Sequence, residues 1–300
     1  MSGLDDRARL LVPAAPAAWL IVFFLLPLVI VLRISLSESV LATPPYTPLI
    51  GAAPEGGLAW QGNLGNYWFL AADPLYFKAY LNSLRIAAVS TLICLAIGYP
   101  MAYAIARASE AWRLTLVLLV VLPFWTSFLI RVYAWIGILK PNGLINNILI
   151  ALGLIETPLN LLDNEFAVHL GIVYAYLPFM VLPLYATLVR LDWALLDAAA
   201  DLGCRPLMAF LAVTWPLSLP GVVAGSLLVF IPAVGEFVVP DLLGGAGTLM
   251  IGKVLWSEFF TNRDWPLASA VALVMLALLI VPIAVLQRRR GRSNAADGGA

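Results

Sequence analysis

The chain has 300 residues, of which 62% are hydrophobic and only 11% charged. A soluble domain carries roughly 25% charged residues, so the composition excludes an ordinary soluble protein and points to an integral membrane protein. Seventeen basic residues balance seventeen acidic ones, so the composition carries no polyanion-binding signature and no nucleic-acid partner is expected.

A spanning helix needs about 20 apolar residues. Residues 1–78 read as a short polar head, a first span at 14–32 and a long polar interval. The span is too long for a signal-peptide core and no small-residue cleavage site follows it, so it is expected to stay as an anchor. The interval contains TPPYTP and APEGG and reads as loop, with little regular structure. Five more spans follow in 79–287, at about 79–105, 114–136, 166–188, 219–243 and 267–286. The tail 288–300 is basic, then polar, and reads as disordered. The fold class is therefore an all-α membrane protein with six transmembrane helices.

Arg7, Arg9, Arg107, Arg113, Arg190, Arg205 and the Arg288, Arg289, Arg290, Arg292 tail all fall on one side of that plan. The positive-inside rule makes this side cytoplasmic, with both termini on it. Gly98 and Pro100, Pro123, and Pro178 and Pro183 are helix interrupters in the second, third and fourth spans, and Pro220, Gly221, Gly225, Pro232, Gly235 and Pro240 crowd the fifth. In the fifth span Gly221 and Gly225 make a small-xxx-small pair that suits close helix approach.

Residues 191–220 lie between apolar runs yet read as two short amphipathic helices. Asp192 can cap the first, whose apolar stripe is Leu195, Ala199 and Leu202. Ala198, Ala199 and Ala200 form helix with little bulk, so another surface could approach closely. Gly203 can end the first helix in the left-handed conformation, Pro206 can start the second, and Pro216 is expected to stop it. An interfacial helix pair on lipid headgroups is the bland alternative, but Asp192, Asp197 and Asp201 against Arg190 and Arg205 suit a protein partner better.

Charged side chains within or beside spans are functional candidates by default. Glu236 lies about 17 residues into the fifth span, roughly 25 Å from its start at helical rise. Asp241 follows it, and Glu258 and Asp264 lie in the next outer loop among Trp256, Phe259, Phe260 and Trp265. Acidic groups beside aromatic rings suit a cationic, partly apolar amine. Glu236 has a second reading, an internal ion pair with Arg85 or Arg131. Trp19, Trp60, Trp68 and Trp112 fit an interfacial aromatic belt. Cys94, Cys204 and the single His169 form no metal-ligand or nucleophile pattern, so no catalytic residue and no metal site are expected.

The run Asp197-Ala198-Ala199, three residues, Gly203, nine residues, Val213-Thr214-Trp215-Pro216 resembles the EAA loop of ABC-importer permeases. The spacing matches throughout, with Asp for Glu, Val for Ile and Trp for Leu. The resemblance implies a type I importer permease fold over 79–287. It implies that loop 191–218 couples to a cytoplasmic ATP-binding subunit through Asp197, Ala198, Ala199, Gly203 and Pro216. Residues 66–287 further resemble the permeases of spermidine/putrescine importers, through DPLYFKAYLNSLRIAAVSTLICLAIGYPMAYAIA, PFWTSFLIRVYAWIGIL, GSLLVFIPAVGEFVVPDLLGG and MIGKVLWSEFFTNRDWPLASAVA, the last two putrescine-type. That implies an inner-membrane subunit of a polyamine importer, with a second related permease, two ATPase copies and a periplasmic polyamine-binding protein as partners. Glu236, Asp241, Trp256 and Glu258 are then candidates for the substrate path. The chain has no Gly-rich phosphate loop, so it is not itself an enzyme, and no cofactor is expected on it. Another solute, such as an amino acid, ferric ion or sulfate, a gradient-driven secondary transporter and a structural assembly factor are the alternatives.

Overall fold

The computed structural model describes residues 13, 14, 16–52 and 58–280. In chain order the elements are α1 (Pro16–Ser35), β1 (Ile50–Ala52), β2 (Leu58–Trp60), α2 (Gly65–Ala72), α3 (Pro74–Arg107), α4 (Glu110–Val121), α5 (Phe128–Leu139) and α6 (Leu144–Ala151). Then come α7 (Glu165–Leu188), α8 (Ala194–Asp201), α9 (Pro206–Val234), α10 (Val238–Leu243), α11 (Ile251–Trp256) and α12 (Trp265–Ile280). Five stretches are long and apolar enough to cross a membrane: α1, α3, 128–151, α7 and α9, with α12 a shorter apolar helix. The all-α, six-span reading holds. Arg7, Arg9 and the basic tail at 288–292 lie outside the described residues.

The chain divides into two compact units, 1–77 with 254–300, and 78–253. In the first, α1 leaves Trp19 to Leu26 exposed along its length. Such a face is stable only against lipid or another protein. The interval after α1 has more order than its Pro- and Gly-rich composition suggests. Asn66 Nδ2 donates to the carbonyls of Ser35 and Ser37, both at 2.9 Å, which ties α2 to the end of α1. β1 and β2 pair antiparallel, with Ile50 opposite Trp60. Beyond the second boundary, Asp264 Oδ1 accepts from Leu267 N at 3.0 Å and starts α12.

In the second unit the chain runs through most of its expected interrupters. Pro100 lies inside α3, Pro178 and Pro183 inside α7, and Pro220 and Pro232 inside α9. Neighbouring helices can re-satisfy the backbone groups a proline frees, so proline need not break a buried span. Thr187 Oγ1 donates to the Pro183 carbonyl at 2.9 Å. Pro123 does interrupt the third span, as its place in the sequence implied, so 114–136 is two helices and not one. A 3₁₀ turn at Leu122–Trp125 separates α4 from α5, and the Thr126 hydroxyl closes it on the Pro123 carbonyl at 2.8 Å.

The core of the unit is formed where α7 packs on α3 and α9, around Cys94, Ala102, Met180, Leu184, Leu188 and Val229. Gly221 and Gly225 sit at the α7–α9 contact, as their spacing implied. A Cβ at Gly221 would lie 2.6 Å from Thr187 Oγ1 and 3.0 Å from the Pro183 carbonyl. At Gly225 it would lie 2.9 Å from Met180 Sδ and 3.0 Å from the Met180 carbonyl. Because backbone blocks the added methyl, Gly225→Ala is expected to cost about 1–3 kcal/mol. Thermal denaturation of the detergent-purified chain checks this, with Gly247→Ala, where nothing lies within 4 Å, as the unaffected control.

Candidate functional site

The loop between α7 and α9 opens on a turn that a side chain closes. Asp192 Oδ1 accepts from Ala194 N at 3.0 Å in an Asx turn just ahead of α8, whose N-cap residue is Trp193 and carries no side-chain cap, so Asp192 faces the helix start without being its cap. α8 ends at Gly203, whose φ is +80°. Cys204 N donates to the Ala199 carbonyl at 3.0 Å and Gly203 N to that of Ala200 at 2.8 Å. These two bonds are the Schellman pattern, so orphan carbonyls of the helix end are satisfied by the left-handed turn. Asp197, Ala198 and Ala200 point outward, Ala199 is half-buried, and Leu195 and Leu202 are exposed.

The second helix departs from expectation. Pro216 does not stop it: α9 runs without interruption from Pro206 to Val234. A π-helical turn at Phe210–Thr214 immediately precedes Trp215–Pro216. The wider turn changes the bonding register just where the proline ring would meet the preceding carbonyls. The loop is thus rigidly continuous with a spanning helix on its C-terminal side.

An aromatic cluster seats this loop on the end of α3. Tyr103 meets Trp193 edge-on at 5.8 Å and Phe210 at 6.2 Å. Tyr99 meets Phe210 and Trp215, each at 5.5 Å, and its hydroxyl hydrogen-bonds the Ser218 hydroxyl at 2.9 Å. The Arg107 guanidinium stacks over Trp193 at 5.2 Å. Tyr99 and Tyr103 were not singled out from sequence. Their i, i+4 spacing at the end of a span was the available signal.

Glu236 is not inside a spanning helix. It lies in the break at 235–237 between α9 and α10, and only 7% of it is exposed. Its Oε1 accepts from Val238 N at 3.0 Å and Val239 N at 3.3 Å, and its Oε2 accepts from the Tyr176 hydroxyl. The expected ion pair with Arg85 or Arg131 does not form. Arg85 pairs with Glu165 and donates to Asn82 Oδ1 at 2.9 Å. The Arg131 guanidinium lies over the Phe124 and Phe128 rings at 5.1 and 5.8 Å. Asp241, five residues beyond Glu236, pairs with Lys253 at 3.2 Å and keeps 54% of its side chain exposed.

In the other unit, Glu258 Oε1 accepts from the Tyr76 hydroxyl at 3.0 Å and its Oε2 from Asn262 Nδ2 at 2.8 Å. Trp256 lies against Phe260 at 4.0 Å with the rings tilted by 37°, and Phe259 lies parallel to Trp265 at 5.1 Å. His169, half-buried, hydrogen-bonds the Ser90 hydroxyl through Nδ1 at 2.9 Å. Among the described residues no group of three His, Cys, Asp or Glu could hold a metal ion.

The family model for binding-protein-dependent transport system inner membrane components matches residues 94–292. The chain is 40% identical, over 93% of its length and 94% of the relative's, to the spermidine/putrescine transport system permease protein PotB of Haemophilus influenzae. It is 43% identical to the PotB of Escherichia coli K12, over 75% of this chain and 82% of the relative. Its fold matches a chain of a crystallised bacterial ABC transporter that imports the acidic polysaccharide alginate. The TM-score is 0.67 at 18% identity, over 95% of this chain and 96% of the other. This chain therefore belongs to the family of binding-protein-dependent transport system inner membrane components, as a multi-pass permease of the ABC-importer type.

Proposed function

We propose that this permease is the membrane-spanning subunit of an ATP-driven polyamine importer, carrying putrescine or spermidine inward. The observation that carries the reading is the 40% identity to a spermidine/putrescine permease along nearly the whole chain. Its partners are two copies of a cytoplasmic ATP-binding subunit, a second related permease and a periplasmic polyamine-binding protein. The chain needs no cofactor of its own.

In this reading the loop over 191–218 faces the cytoplasm and receives the ATPase. Asp197 anchors it by charge, Ala198 and Ala199 let the partner seat closely, and Gly203 sets the angle between α8 and α9. The exposed Leu195, Leu202, Leu207 and Met208 beside Asp197 and Asp201 suit a protein cleft better than anionic lipid. Because Pro216 lies within an unbroken helix, displacement of the loop would move α9 as a lever. Asp241 and Glu258, with Trp256 near Glu258 in sequence, would meet ammonium groups on the outer side by Coulomb and cation–π attraction. Glu236 would shape the bend that presents Asp241.

Radiolabelled putrescine uptake into proteoliposomes holding the reconstituted complex tests this. Uptake is expected to require internal ATP and the binding protein and to survive collapse of ion gradients. Uptake driven by a gradient without ATP would point to a secondary transporter. ATP-driven uptake of an amino acid, ferric ion or sulfate but no polyamine would keep the machine and overturn the substrate.

A further inference from the structure

Most carboxylates of the chain are held by neutral donors. Glu236 and Glu258 each accept from a tyrosine and from amide groups, and Asp192 and Asp264 accept from backbone N–H groups at helix starts. Asp241 is different. Among the described residues its side chain has one partner, the Lys253 ammonium at 3.2 Å. An ionised carboxylate offers about four lone-pair sites, so one ammonium leaves most of them open. Asp241 is also half-exposed, so a second cation can reach it.

Lys253 carries its ammonium on a four-carbon stem. That is the carbon chain of putrescine, 1,4-diaminobutane, so the side chain is one end of that diamine tied to the protein. The tie is firm. A Cβ at Gly252 would lie 2.6 Å from the Glu236 carbonyl oxygen, so the backbone before Lys253 rests on the break between α9 and α10. Ile251 N donates to Ser83 Oγ at 2.8 Å, and Asn82 Nδ2 donates to the Leu249 carbonyl at 2.8 Å, which fastens the same segment to α3. All these residues belong to the unit 78–253. With its backbone held and its stem free to rotate, Lys253 can leave Asp241 and return without moving a helix. Tethering keeps its ammonium at a high effective concentration.

We propose, building on the reading of Asp241 as a group that meets substrate, that Lys253 is a built-in competitor for the substrate's ammonium. It neutralises Asp241 while the path is empty, yields the carboxylate to an incoming amine, and takes it back as the amine moves on. The carboxylate then never holds the amine at full intrinsic strength, since apparent affinity falls with the fraction of Asp241 that is free. An exposed ion pair biases such an equilibrium by about fivefold at most, enough to ease release without barring entry.

The chain has three lysines, Lys78, Lys140 and Lys253, few enough to follow singly by NMR after reductive ¹³C-methylation of their amines. Lys253→Arg identifies the Lys253 signal by its loss, and Asp241→Asn gives the position of that signal when the ammonium is unpaired. The full chain in dodecyl maltoside is titrated with putrescine and, separately, with sodium chloride at equal ionic strength. Saturating putrescine is expected to move the Lys253 signal at least roughly half-way to the unpaired position, and sodium chloride to move it far less. In Asp241→Asn putrescine should leave the signal where it is. Lys78 and Lys140 signals at their parent positions show that the variant is folded. A Lys253 signal that putrescine leaves in place overturns the competitor, as does one that sodium chloride moves equally or that putrescine still moves in Asp241→Asn. Putrescine uptake by the reconstituted parent complex is measured alongside. Uptake with an unmoved Lys253 signal sinks the competitor alone, whereas no uptake sinks the polyamine reading and the competitor with it.

Discussion

Gly203→Val is expected to abolish transport while the protein still inserts and accumulates in the membrane. The cause is handedness rather than bulk. A Cβ at Gly203 would meet nothing within 4 Å, so the site has space for a side chain. Its φ of +80° is the obstacle, because a β-branched residue there costs at least about 1–2 kcal/mol of backbone strain. The chain can escape that strain by turning Gly203 to negative φ. This breaks the bonds from Cys204 N to Ala199 and from Gly203 N to Ala200, and swings α8 away from α9. Asp197, Ala198 and Ala199 would then no longer present their face at the angle the ATPase requires. Gly203→Asn is the matched control, since asparagine tolerates the left-handed region, and it should retain most of the uptake. Uptake and immunoblotted membrane abundance, measured together on the two variants, check the ordering. Equal uptake in the two variants would remove the loop angle from the mechanism.

Much of this loop was legible in the sequence because its signals are local. A carboxylate two residues before a helix, a glycine after it and a proline opening the next each act through neighbouring backbone groups. The small-xxx-small pair at Gly221 and Gly225 was legible for a similar reason, since few apolar positions tolerate backbone-to-backbone contact. What stayed hidden depends on partners distant in sequence. Nothing near Pro216 tells that a π turn lets α9 continue through it, and nothing near Pro123 tells that it breaks a span when Pro100, Pro178 and Pro183 do not. The seat formed by Tyr99, Tyr103, Trp193 and Phe210 joins three helices. Glu236 was found by its charge, but its partner Tyr176 lies 60 residues away in sequence and carries no charge to betray it. Coulomb reasoning offered an arginine as its internal partner, whereas the fold supplies neutral donors.

Those donors set the expected behaviour of Glu236. Its carboxylate takes two backbone N–H groups and one phenol in a setting where water is scarce. Glu236→Ala strands all three donors. At about 1–3 kcal/mol for each buried unsatisfied group, a loss on the order of 4 kcal/mol is expected, enough to unfold the bend between α9 and α10. Glu236→Gln is a different experiment. The Gln carbonyl can still accept from Val238 and Val239, while its amide meets a Tyr176 hydroxyl that must turn to accept, so the bend survives with a cost of about 1 kcal/mol. If the carboxylate only shapes the bend, the Gln variant should melt close to the parent, and its putrescine KM should change less than about twofold. If the carboxylate instead faces an ammonium group, losing the charge should raise KM by tenfold or more, since about 1.4 kcal/mol already accounts for a factor of ten. Asp241→Asn separates the two roles from the other side. Asp241 is half-exposed on the helix that Glu236 caps, and its loss should raise KM without lowering the melting temperature. A raised KM in Asp241→Asn with an unchanged one in Glu236→Gln would divide the pair into one group that meets the substrate and one that holds the backbone in place for it.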